Sequence, residues 1–93
     1  MVENEKLIIP TIHLNGTSKK ELLEQQADAR EAIMNAMMVL RKAVPHSHDY
    51  YPQGDGAYLK AAEQYGIQQK RLQDTYDELM QISLETDAQG SSR

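Results

Sequence analysis

The sequence predicts an all-α fold: a long antiparallel helical hairpin with an extended N-terminal arm, assembled into a homo-oligomeric bundle. Three observations carry this expectation. Two long segments place apolar residues at helical spacing. A run rich in Pro, Gly and polar residues separates them. The first segment also carries two adjacent apolar rows, a stripe wider than one partner helix can cover.

The arm spans residues 1–16. Met1 to Lys6 is charged and polar and is expected to fray. Leu7 to Leu14 is β-branched and apolar with Pro10 inside it, which reads as extended chain or an edge strand, because proline lacks the donor that a sheet interior needs. Asn15-Gly16 marks a turn.

The hairpin domain spans 17–86, with helices at about 18–44 and 56–85 and a loop at 45–55. Ser18-Lys19-Lys20-Glu21 matches a capping box, in which the serine hydroxyl and the glutamate satisfy helix-start N–H groups. Leu22, Gln26, Ala29, Ile33, Met37, Leu40 and Val44 form one row, and Leu23, Ala27, Met34 and Met38 a second. Pro45 stops this helix. The second helix carries Tyr58, Ala62, Tyr65, Gln69, Leu72, Tyr76, Leu79 and Ser83 in alternating steps of four and three, a heptad seam. Gln69 within that seam fixes register, and Gly66 allows a bend or a close backbone approach at a cost of about 1 kcal/mol against Ala. Residues 87–93 are Ser/Gly-rich and read as a disordered tail.

Composition narrows the function classes. At 93 residues the chain holds one domain, and two helices have no enclosed core, so self-association is expected. With no cysteine there is neither a disulfide framework nor a thiolate metal site. No apolar run reaches the length of a membrane span and no signal-peptide core is present, so a cytoplasmic location is expected, without membrane partners. A net charge of -4 argues against duplex nucleic acid as a partner. Five Tyr with no Phe and no Trp point to half-buried rings whose hydroxyls reach water or a ligand.

Two segments are the candidate ligand-binding residues. Asn15, Gly16, Thr17, Ser18, Lys19 and Lys20 bring a glycine turn, hydroxyls and two lysines to a helix start, where open N–H groups attract anions. In the loop, Tyr50 and Tyr51 offer faces for stacking a base, His46 and His48 donate to phosphate or carbonyl groups, and Gln53 reads a base edge. Neither catalytic residues nor metal ligands nor a cofactor are expected: Ser47, His48 and Asp49 are consecutive, whereas triads are assembled from separated elements, and His46 with His48 lacks a full donor set. The methionines Met34, Met37 and Met38 read as adaptable core filler or as a partner-binding face.

The segments His13-Leu14-Asn15-Gly16-Thr17-Ser18 and Asp49-Tyr50-Tyr51-Pro52-Gln53-Gly54, with the hairpin plan, resemble those of small phage- and prophage-encoded helical proteins over roughly residues 8–85. In size and plan the chain also looks like phage anti-defence sponges, such as anti-CBASS proteins that oligomerise and sequester cyclic nucleotides. The resemblance implies a non-enzymatic phage protein in the infected cell that sequesters a phosphate-bearing small molecule, a nucleotide immune signal. The alternatives are a protein-interaction inhibitor of a host defence or transcription protein, or a structural phage component. The two candidate segments stand at opposite ends of the first helix, about 40 Å apart at 1.5 Å per residue, so one chain joins them only if the arm folds back along the helix.

Overall fold

The computed structural model describes residues 6–90, in which two helices pair as an antiparallel hairpin, and no strand occurs among the described residues. The expected frayed start therefore lies largely outside the described residues.

Helix α1 spans Lys19–Leu40. Ser18 is its N-cap: the backbone is extended there, and the hydroxyl accepts the Glu21 N–H at 3.1 Å. The same hydroxyl donates to a Glu21 carboxylate oxygen at 3.5 Å. The helix stops short of residue 44. Its last turn tightens into a 3-10 turn at Arg41–Ala43, and Val44 goes extended at ψ 134. The ring of Pro45 disfavours helical backbone at the residue before it, so the chain leaves the helix early. Val44 therefore falls out of the apolar row and is exposed.

Helix α2 spans Ala57–Asp87, two residues further than expected. All of the heptad seam from Tyr58 to Ser83 is half-buried or buried against α1, as is the α1 row from Leu22 to Leu40. Two polar links cross this seam. The Gln69 amide donates to Tyr65 Oη at 3.0 Å and to the Met37 carbonyl oxygen at 3.4 Å. Arg30 Nη1 donates to Ser83 Oγ at 2.6 Å, and that hydroxyl donates to Gln26 Oε1 at 2.7 Å. Such links hold register, because sliding α1 by one turn would part Ser83 from Arg30 and Gln26, and Gln69 from the Met37 carbonyl. Gly66 makes no close backbone approach within the chain: a Cβ placed there meets nothing within 4 Å.

The arm departs most from expectation. It forms no strand and pairs instead with the end of α2. The Ile12 N–H donates to Gln89 Oε1 at 2.9 Å, and Gln89 Nε2 donates to the Pro10 carbonyl oxygen at 2.6 Å. One side-chain amide thus supplies the donor and acceptor that a neighbouring strand would have supplied. Lys19 Nζ adds a bond to the Gln89 carbonyl oxygen at 2.7 Å and lies 3.8 Å from the Asp87 carboxylate. The expected disorder from residue 87 is thereby corrected at Asp87–Gln89, while 91–93 lie outside the described residues.

Burial is thin throughout. Among the described residues no apolar side chain is fully removed from water, and only Ser83 and Thr86 are buried. Both lie in the last turns of α2, Ser83 opposite Gln26 and Arg30 of α1 and Thr86 three residues nearer the latched arm.

Candidate functional site

The loop between the helices is built from two consecutive 3-10 turns, Ser47–Asp49 and Tyr51–Gln53. The N–H groups of Asp49, Tyr50, Gln53 and Gly54 each bond to the carbonyl three residues back, at 2.9–3.1 Å. Pro52 sits inside the second turn, where its missing N–H breaks no bond. Gly54 and Gly56 then take φ of 106 and 91, a left-handed region that side chains disfavour, and this swings the chain into α2. The loop is an ordered tip.

Its side chains divide. The rings of His46 and His48 stack with centroids 5.7 Å apart and 16° between planes. His48 Nε2 lies 3.7 Å from an Asp49 carboxylate oxygen, both groups exposed. No group of three or more His, Cys, Asp or Glu converges as a metal site among the described residues. Tyr51 is 74% exposed, whereas Tyr50 is half-buried and turns towards α2. There Tyr50 and Gln53 line an open groove of about 590 Å³ with Asp55, Lys60 and Gln64. His46, His48 and Tyr51 are outside its lining. Lys60 and Gln64 are residues that sequence reasoning missed; they read as solvated polar positions until the loop folds over them.

The second candidate segment lies at the other end of the hairpin. His13 to Gly16 closes a turn, with the Gly16 N–H donating to the His13 carbonyl oxygen at 3.2 Å. The His13 ring rests on Gly16 so closely that a Cβ there would come within 2.7 Å of Nε2. Asn15, Thr17 and Lys20 are exposed. Ser18 is occupied as a cap, and Lys19 is bound to Gln89 and Asp87. Much of what would hold a phosphate is thus used to close the base of the hairpin. The arm folds onto the end of α2 and not along α1, so within one chain it does not reach the loop. About 33 Å of helix separates the two segments, from 22 residues at 1.5 Å each.

The loop groove and a cleft beside it, lined by Ala43, Gln64 and Gln68, open on one face. Met34 and Met38 of α1, 44% and 55% exposed, fall on the other side of that helix, away from the groove. No helix among the described residues is long and apolar enough to cross a membrane. Compared with protein families, with curated proteins and with solved structures, the chain shows no match.

Proposed function

We propose that the chain is a non-enzymatic interaction module, which associates with itself through exposed apolar side chains of its helices and presents the His46–Gly56 tip to a protein partner. The observation that carries this reading is the lack of any buried apolar side chain among the described residues, while Met34, Met38, Val39, Leu59, Ile67 and Leu84 on the two helices stand exposed. A hairpin of this length gains too little from its single seam to offset the entropy of ordering it, and association supplies the missing burial. The ordered tip with exposed Tyr51 suits a protein contact, since tyrosine anchors interfaces at low entropic cost. The resemblance to phage hairpin proteins gives this module its setting, interference with a host defence or transcription protein. Light scattering on the purified 10.6 kDa chain is expected to report a multiple of that mass, with a melting temperature that rises with concentration. A monomer from micromolar to millimolar concentration would overturn the reading.

A second reading, sequestration of a nucleotide immune signal without turnover, is favoured by the groove. Its volume suits a small ligand, and Tyr50, Gln53 and Lys60 offer a ring face, an amide and a cation. Calorimetry against cyclic oligonucleotides and ADP-ribose derivatives should then show binding that weakens as salt rises. Absence of heat with all of them would sink this reading and leave the first standing.

A further inference from the structure

We propose that the turn at Asn15-Gly16 is a site of spontaneous covalent modification, in which the Gly16 backbone nitrogen displaces ammonia from the Asn15 side chain with the His13 imidazole as base. The product is a succinimide that water opens to aspartate or isoaspartate.

This turn lacks what protects an asparagine elsewhere. Ring closure needs the nitrogen of the following residue to swing onto the side-chain carbonyl carbon, which a helical backbone or a bulky following side chain resists. Asn15 and Gly16 are both exposed and belong to neither helix. Gly16 brings no Cβ to hinder the approach and leaves its backbone free to turn. Its N–H is held only by the turn bond to the His13 carbonyl oxygen, at 3.2 Å the long end of the range for such bonds. Asn35 is the contrast within the same chain. It lies inside α1 and is followed by Ala36, whose nitrogen is held in the helical ladder.

His13 supplies what an ordinary Asn-Gly turn lacks. Its ring occupies the space that a side chain on Gly16 would fill: Nε2 lies 2.7 Å, and Cδ2 and Cε1 each 3.2 Å, from the position of a Cβ there. The Gly16 nitrogen is bonded to the same Cα as that position, so Nε2 stands within roughly 5 Å of it, a span that one water bridges. Neither ring nitrogen of His13 has a hydrogen-bond or ion-pair partner among the described residues, so the base is uncommitted. An alanine at position 16 would collide with the ring, so the glycine and the histidine are matched.

The step balances with water as its only co-reactant. His13 takes the Gly16 amide proton, directly or through a water, and the nitrogen forms a bond to Asn15 Cγ. The Cγ–Nδ2 bond breaks, and the amide group leaves as ammonia with the proton that His13 returns. Water then adds to the cyclic imide. Opening at Cγ gives aspartate; opening at the backbone carbonyl carbon gives isoaspartate, with the chain running through the former side chain. Either product puts a carboxylate in the turn that joins the latched arm to α1, and isoaspartate also adds a backbone atom there.

Incubating the full chain in warm, mildly alkaline buffer tests this, with residue 15 followed by peptide mapping and mass spectrometry. Hydroxylamine, which cleaves at a succinimide, should cut the chain between Asn15 and Gly16. Asn15 is expected to convert roughly tenfold or more faster than Asn35, whose turn of helix must first open. His13→Ala should slow Asn15 several-fold, with helicity by circular dichroism retained. Added imidazole should restore the rate in His13→Ala and change the unaltered chain little, a response that a merely structural role of His13 would not give. In urea, where the ring loses its place, the two chains should convert alike. An Asn15 that stays intact and uncut would overturn the proposal, as would a folded His13→Ala chain that converts as fast as the unaltered one.

Discussion

Thr86→Asp is expected to lower the unfolding free energy by about 3 kcal/mol, the order of cost for burying a charge without a partner. Thr86 is the one fully buried side chain among the described residues, at 0% exposure, and its hydroxyl is already committed to the Ile82 carbonyl at 2.7 Å. An aspartate there must give up hydration with no donor set to replace it, close to the carboxylates of Glu85 and Asp87. For a domain whose whole stability is on the order of 5–15 kcal/mol, that is a large fraction. Thr86→Val supplies the control. It keeps the branched shape and removes only the bond to Ile82, so its cost should stay near 1 kcal/mol. Urea titration followed by circular dichroism separates the two. A Thr86→Asp chain as stable as Thr86→Val would mean that the base of the hairpin is not closed around this residue.

The hairpin was legible in the sequence because both of its signals are periodic. Leu22 to Leu40 and Tyr58 to Ser83 show helical spacing over many turns, and a seam that long leaves few other ways to fold. The Ser18 cap was legible because it is local: the hydroxyl and the Glu21 N–H it binds are three residues apart. Pro45 fixed where α1 ends only to within a few residues, since it constrains its neighbour but does not decide whether the last turn is α or 3-10. The loop was recognisable as rich in chemistry, yet its division was not. That Tyr50 turns into a groove while Tyr51 faces solvent depends on two successive 3-10 turns, and on Lys60 and Gln64 meeting the loop from α2. The destination of the arm was illegible for a plainer reason. It is set by Gln89, a single polar residue 77 positions from Ile12 in a segment whose Ser/Gly composition reads as disordered. Composition averages over such a segment, and one amide that imitates a strand edge leaves no trace in the average.

Gln89→Ala tests that latch directly and should free the arm without unfolding the hairpin. The change removes two hydrogen bonds, to the Ile12 N–H and from Nε2 to the Pro10 carbonyl. At about 0.5–1.5 kcal/mol each, the arm loses roughly 1–3 kcal/mol of its docking free energy. Amide exchange at Ile12 should accelerate roughly tenfold to a hundredfold, while exchange in the middle of α1 and α2 stays as it was, because local opening and global unfolding are separate events. Gln89→Glu should release the arm as well: it retains an acceptor for the Ile12 N–H, but sets a carboxylate oxygen against the Pro10 carbonyl in place of a donor. Lys19→Met removes the ammonium that holds the Gln89 carbonyl at 2.7 Å and faces Asp87 at 3.8 Å. Because one residue receives both the arm and Lys19, the effects of Gln89→Ala and Lys19→Met should not add, and the double variant should release the arm little more than Gln89→Ala alone. Additive effects would instead mean that the arm and the start of α1 are held independently. An Ile12 amide that exchanges at the same rate in all of these variants would show that the arm is held by its apolar residues, with Gln89 only adjacent to it.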